Sequence, residues 1–286
     1  MKFLTFARRG TISFGAATDS GVVDLGARHP ELADLRAAIR CGCIDALGRE
    51  AAGAAADFDF PEIEFLPTIP NPEKIVCIGV NYRDRNAEYA DGSAAPKYPS
   101  VFMRARESLV GHRQPILDPP ESNQLDYEGE IAIVIGREGR RIPSQRARDH
   151  IAGLTIMNEG TLRDFLRHGK FNVTQGKNFE QSGSLGPWFC TPDELDPMGE
   201  LRVMTRVNGE RRQDDTTSNL MFPFDYLISY LSTFFRLKPG DVIATGTPNG
   251  AGARFDPPRY LKEGDVVQVE VPGIGVLENR VTAESA

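Results

Sequence analysis

The chain has 286 residues, of which 33 are Lys or Arg and 40 are Asp or Glu, for a formal charge of −7, with hydrophobic residues at 40%. The acidic balance excludes nucleic acid or an anionic membrane as a general partner, so any anion must be met by local basic groups or a metal. No apolar run approaches the roughly 18 residues of a membrane span, and the opening MKFLTFARRG lacks the long apolar core of a leader, so a cytoplasmic protein is expected.

Residues 1–66 alternate short strand-like pieces (KFLTFA, TISFGAAT, GVVDLG) with turns, followed by an alanine-rich helical stretch around Leu32–Ala56. They carry no paired acids, histidine cluster or glycine loop, and read as a small N-terminal domain without a catalytic role. The four cysteines, Cys41, Cys43, Cys77 and Cys190, read as isolated thiols in a reducing compartment, because Cys41-Gly-Cys43 is too tight for a usual zinc pair. Residues 67–73, with Pro67, Pro70 and Pro72, form the clearest linker, since prolines cannot continue a helix or a central strand. The second, larger domain is placed at 74–286.

Lys74–Tyr82 reads as a buried strand that runs into the polar segment RDRNAEYADGSAAPKYP. Phe102-Met-Arg104 is a further strand end, from which Arg104 either faces a pocket or is solvated. Leu125–Asp164 follows, running LDYEGEIAIVIG and, after a bend, IAGLTIMNEGTLRD. Strand side chains alternate faces, so Glu128 and Glu130 project to one side at the mouth of the β-branched run Ile131–Ile135. Two acids on one face of a buried strand repel and lose hydration unless a cation lies between them, one is protonated, or bases pair them. Glu159 ends the next apolar run. Three carboxylates without a nearby His or Cys suit a hard ion such as Mg²⁺, Mn²⁺ or Ca²⁺; the residues alone equally allow an ordinary solvated strand end.

Beyond the acids, Gly160–Arg167 has a helical pattern, Asn208-Gly209 marks a hairpin turn, and Met221–Phe235 is an amphipathic helix. Lys238-Pro-Gly-Asp241 turns into the strand Val242–Thr245. At Gly246 the backbone can approach a ligand closely, and the Thr247 hydroxyl can bond a carboxylate. A phosphate loop is excluded there, because its lysine and following helix are missing. The many short strands and few helices indicate a β-rich α+β fold.

Four blocks, DYEGEIAIVIG, GLTIMNEGTLRD, QGKNFEQSGSLGPW and LKPGDVIATGTPNGAG, stand in an order and spacing that resemble the fumarylacetoacetate hydrolase family from about Pro72 onward. The resemblance implies a rolled mixed β-sandwich, usually a homodimer, with a divalent metal in its central cleft chelated by a small 2-oxo acid. It places Glu128, Glu130 and Glu159 at the metal-ligand positions, Lys177 at a nearby catalytic lysine, Arg163 and Asp164 as braces of the metal shell, and Tyr82 beside the substrate. In the family the motif Asn-Tyr-x-x-His-x-x-Glu forms a lid with a His/Glu acid–base pair; Glu88 matches its glutamate and Arg85 stands at its histidine, which implies catalytic positions for both. A guanidinium stays charged where an imidazole would exchange a proton; Arg85 is therefore read as a ligand for the far carboxylate of a dicarboxylic substrate or as a surface partner of Glu88. Glu159 also stands where the family usually has aspartate, which lengthens its reach by about 1.5 Å.

By resemblance the activity is Mg²⁺- or Mn²⁺-dependent hydrolysis of a C–C bond in an acylpyruvate-type 2-oxo acid. The alternatives are isomerase, hydratase or decarboxylase chemistry on 2-hydroxymuconate-type or 2-oxo-ene dicarboxylates of aromatic catabolism, or a metal-binding homologue that has lost catalysis. A lysine near a bound cation and an apolar wall is expected to have a lowered pKa, and then to serve as a base, or when protonated to hold an oxyanion.

Overall fold

The computed structural model describes residues 1–84, 96–169 and 172–285. Two mixed β-sheets carry the architecture. The larger is built along the path Gly21–Asp24, Thr11–Thr18, Lys2–Arg8, Gly183–Cys190, Ile151–Asn158, Gly129–Ile135, Val242–Ala244, Ile75–Gly79 and Ser100–Arg104. Its centre is the Gly129–Ile135 strand, buried at every position. Odd and even residues of that strand feed different cores, as a period of two requires. Ile131, Ile133 and Ile135 join a cluster with Val203, Val269 and Leu277 of the smaller sheet and with Leu227, Ile228 and Leu231. Ala132 and Val134 instead pack with Leu35, Ala38, Ile39 and Leu47 from the N-terminal helices. The result is a β-rich α+β sandwich with few helices.

The smaller sheet orders Glu210–Thr216, Arg202–Val207, Val266–Val271, Gly275–Ala283 and Ile116–Asp118. Its first hairpin turns at Asn208 and Gly209, both with positive φ, 52° and 81°, as the Asn-Gly pair predicts. The two sheets approach closely at Gly129, where an added Cβ would lie 2.1 Å from Thr205 Oγ1 and 3.0 Å from Val269 Cγ1. A hydrogen is what fits there, and this places a glycine between the two acids of the Glu-Gly-Glu triplet.

Residues 1–66 contribute strands to the large sheet itself: Lys2–Arg8 pairs with Gly183–Cys190, and Glu64–Phe65 pairs with Lys2–Arg8. The proline-rich stretch 67–73 is packed into the body, with Ile69 in the core and Thr68 N donating to Leu185 O. Several local expectations are corrected. The helix foreseen at Gly160–Arg167 is a two-residue strand, Thr161–Leu162, paired with Leu125–Asp126, followed by a single turn at Phe165–Arg167. The helix foreseen at Met221–Phe235 is limited to Phe224–Leu231. Cys41 and Cys43 are not free thiols but form a disulfide where helix Leu35–Arg40 ends, around Gly42 at φ 74°. Cys77 and Cys190 are free and buried, as expected. Among the described residues no helix is long and apolar enough to cross a membrane.

His112 joins the two sheets. Its ring meets Phe65 edge-on with centroids 4.9 Å apart, and its Nδ1 accepts from the Glu278 amide at 3.1 Å. Burial, reinforced by Arg113, lowers its pKa from 6.5 to about 4. Between these values the unfolded chain binds a proton that the folded chain excludes, so stability falls as pH drops from 6.5 toward 4. The expected loss reaches at most about 3 kcal/mol. Urea titrations of the wild type and His112→Gln across that range should show this component only in the wild type.

Candidate metal centre and active site

The acids are brought together by strand register. Gly129 pairs with Asn158 in the antiparallel ladder between Gly129–Ile135 and Ile151–Asn158. One residue further out, Glu128 and Glu159 are therefore opposite each other, and the Glu159 amide donates to Glu128 O at 2.8 Å. The Glu128 amide is held by Asn158 Oδ1 at 3.0 Å. Glu130 shares the face of Glu128, and its Oε2 accepts from the Gly246 amide at 2.7 Å. Gly246 has φ 108°, and an added Cβ would lie 2.7 Å from Asn81 Cβ, so no other residue fits this turn without strain. One carboxylate oxygen from each of Glu128, Glu130 and Glu159 lies within 4.8 Å of the others, and all three residues are buried.

Their charge is partly matched by bases. Lys177, 5% exposed on the short helix Thr174–Lys177, donates from Nζ to Glu128 Oε2 and, at 2.7 Å, to Glu159 Oε2. Arg163 spans Asp126 Oδ2 and Glu128 Oε1, both at 2.7 Å. Arg104 donates to Glu159 Oε1 at 2.9 Å, and also to Gly160 O, Ser108 and Ser182. Among the described residues, four carboxylates face three bases, leaving one formal negative charge when all are ionised. Burial first, then the charges of Glu159 and Glu128, raise the Glu130 pKa well above the carboxylate range. A group of three hard oxygen donors with a residual negative charge fits a divalent cation, which would also let Glu130 ionise.

A lowered Lys177 pKa is the expectation beside a bound cation, whereas the carboxylates here act on the lysine without one. Burial opposes its charge, but the carboxylates of Glu128 and Glu159 outweigh that penalty and raise its pKa instead of lowering it. The side chain is thus a buried ammonium, with Nζ also 5.3 Å from the centre of the Phe102 ring.

A cavity of about 210 Å³ opens onto this cluster. Glu128, Glu130, Glu159, Arg163, Lys177 and Thr247 line it on the charged side. Thr247 is fixed there by donating from Oγ1 to Gly129 O at 2.9 Å and accepting from Gln213 Nε2 at 2.8 Å. Other expected residues lie elsewhere. Arg104 does not face the cavity but is buried beneath Glu159 with its guanidinium fully engaged. The Tyr82 ring is in the main core, 1% exposed. Gly246 acts through its amide on Glu130, and Asp164 accepts from Ser122 Oγ and the Phe165 amide rather than reaching the acids. Arg85 and Glu88 lie outside the described residues.

Sequence reasoning missed Asp126, Phe102 and Asn81. Asp126 is wholly buried, anchors Arg163, and accepts from the amides of Gly252 and Ala253 at 2.8 and 2.9 Å. Its signal was present, since Asp126, Glu128 and Glu130 stand at alternate positions.

The family model for the fumarylacetoacetate (FAA) hydrolase C-terminal domain matches residues 74–282. The chain therefore belongs to the fumarylacetoacetate hydrolase family of enzymes. Over 227 residues it is 39% identical to oxaloacetate tautomerase YisK of Bacillus subtilis, covering 78% of this chain and 75% of that protein. It is likewise 39% identical over 222 residues to the human mitochondrial oxaloacetate tautomerase FAHD2B, covering 77% and 70%. Among solved structures, a putative HpcE protein from Mycobacterium smegmatis superposes with a TM-score of 0.86 at 30% identity, covering all of both chains. The fumarylacetoacetate hydrolase from psychrophilic Exiguobacterium antarcticum gives 0.83 at 33%, covering 99% and 100%.

Removing Arg163 strands two buried acids at once. Arg163→Met should destabilise the fold by about 3–5 kcal/mol, the usual penalty for a broken buried pair. Adding Asp126→Asn should recover part of that loss, and chemical denaturation of both variants measures the coupling.

Proposed function

We propose that this protein is a divalent-metal-dependent tautomerase that interconverts the keto and enol forms of a short 2-oxo acid, with oxaloacetate as the four-carbon example. The observation that carries this reading is the Lys177 ammonium, buried in the cavity wall and held between Glu128 and Glu159. Keto–enol exchange moves one proton between C3 and the oxygen on C2, breaks no carbon–carbon bond and consumes no water. It needs a group that can hold and return a proton beside a polarised carbonyl, and Lys177 Nζ supplies one.

Glu128, Glu130 and Glu159 would hold the cation, with Mg²⁺ or Mn²⁺ the ions their oxygen donors suit. When bound, the dication supplies electron withdrawal from the carboxylate and adjacent carbonyl of the acid. Arg163 and Arg104 hold Glu128 and Glu159 in place from behind, so that the donors are aimed before any ligand arrives. Thr247 offers its hydroxyl at the same wall. With a dication the formal charge of the described cluster becomes +1, which favours an anionic acid. The similarity to two oxaloacetate tautomerases at 39% identity supports the same choice.

Hydrolysis of a C–C bond is the second reading, favoured by the 33% identity to the Exiguobacterium hydrolase. It asks for a base that activates water, and among the described residues no histidine lines the cavity. A cytoplasmic homodimer acting on a small acid is the setting proposed for either reaction.

The test follows enol absorbance of oxaloacetate with Mg²⁺ or Mn²⁺ added and after chelation. Turnover should require the ion. Lys177→Ala should lower kcat by about 10²–10⁴-fold while equilibrium dialysis still finds bound metal. Glu130→Ala should lose both. Near-wild-type turnover in Lys177→Ala removes the lysine from the mechanism, and release of pyruvate from acylpyruvates without enol exchange selects the hydrolase.

A further inference from the structure

The apolar part of the cavity wall is made of Ile78, Val80, Val101, Phe102, Leu166 and Val173. Val80 is unlike the rest. Its φ is 53°, in the left-handed region, and of the six non-glycine residues with positive φ among the described residues it alone is β-branched. Two of the others, Arg9 and Asn208, precede glycines in hairpin turns, where such a conformation is ordinary. For a β-branched side chain it is strained, and such strain persists only where the surroundings over-determine the backbone.

They do so here on both sides. Before Val80, the strand Ile75–Gly79 is paired in register with Ser100–Arg104 on one edge and with Val242–Ala244 on the other. After it, Asn81 is fully buried and makes four hydrogen bonds. Its Nδ2 donates to Thr245 O at 2.7 Å and to Phe222 O at 3.0 Å; its Oδ1 accepts from the Phe222 amide at 2.8 Å, and its carbonyl accepts from the Met221 amide at 2.7 Å. Val80 is thereby fixed between a three-strand clamp and a side-chain staple, at the cavity wall.

Resting on the tautomerase reading and deepening it, we infer that Val80 is a specificity-determining residue whose side chain closes the tail end of the subsite and restricts the enzyme to short 2-oxo acids. The cavity is small, about 210 Å³, so one isopropyl group is a large share of its wall. Beyond the carboxylate and carbonyl that a cation held by the acids would attract, the carbon tail would meet apolar surface, and its permitted length would depend on how far Val80 projects. The backbone strain is the cost of presenting that group at a position which glycine would occupy more easily.

The experiment uses the full chain with Mg²⁺ and compares wild type, Val80→Ala and Val80→Gly. Calorimetry measures binding of pyruvate, 2-oxobutanoate, 2-oxopentanoate and 2-oxohexanoate, and thermal unfolding is recorded without ligand. In the wild type, 2-oxohexanoate should bind at least tenfold more weakly than pyruvate. Both variants should narrow that gap by about tenfold, the scale of one or two methylenes in an apolar pocket. Val80→Gly should melt at or above Val80→Ala, the reverse of the usual order. A length preference unchanged within twofold in both variants, or Val80→Gly melting below Val80→Ala, overturns the inference. Binding that responds to Val80 without any enol exchange in the wild type sinks the tautomerase reading alone, whereas exchange with no response to Val80 sinks this one alone. An absence of binding at every length sinks both.

Discussion

Four carboxylates buried in one place are the constraint around which this chain is built. Asp126, Glu128, Glu130 and Glu159 cannot all lose their hydration unless positive charge replaces it, and among the described residues three bases stand in fixed positions beside them. Each base arrives from a different segment: Arg104 from an edge strand of the large sheet, Arg163 from the turn after a short strand, and Lys177 from a short helix. The acids arrive by antiparallel register, and Gly129 and Gly246 allow the second sheet and the turn to close around them. A buried cluster of this kind contributes little net stability, because desolvation offsets the attraction. Its persistence points to chemistry.

The chemistry it suits is modest in mechanical demand. A protonated lysine between two carboxylates is already hydrogen-bonded to the groups that would hold a cation, so a change at one alters the other directly. Tautomerisation uses such a device with nothing further than a positioned carbonyl. Water activation would need an additional base, and among the described residues no histidine lines the cavity.

The fold was legible in the sequence where a local rule decides the outcome. Alternation identified the Gly129–Ile135 strand and its paired acids, and Asn208-Gly209 identified the hairpin. It was illegible where a distant partner decides. Thr161–Leu162 followed by Arg163 has helical composition, yet strand pairing with Leu125–Asp126 and the ion pair from Arg163 to Asp126 override propensity. Arg104 shares a strand face with Phe102, but whether it reaches the cavity depends on depth: Phe102 lines the opening, and Arg104 is one residue pair further in, beneath Glu159. Strain at Val80 could not be read at all, since nothing in Gly-Val-Asn specifies a left-handed valine.

The clamp between Gly246 and Glu130 joins chain positions 116 residues apart. Glu128 and Glu159 are likewise adjacent only through a completed ladder. A disordered chain therefore offers a dication no comparable nest of oxygens, and occupancy of the nest and cohesion of the sandwich are linked by mass action. At a hundredfold excess over its dissociation constant, an ion selective for the native form adds about 2.7 kcal/mol to the unfolding free energy. The cellular supply of that ion would then govern how long the protein survives as well as whether it works.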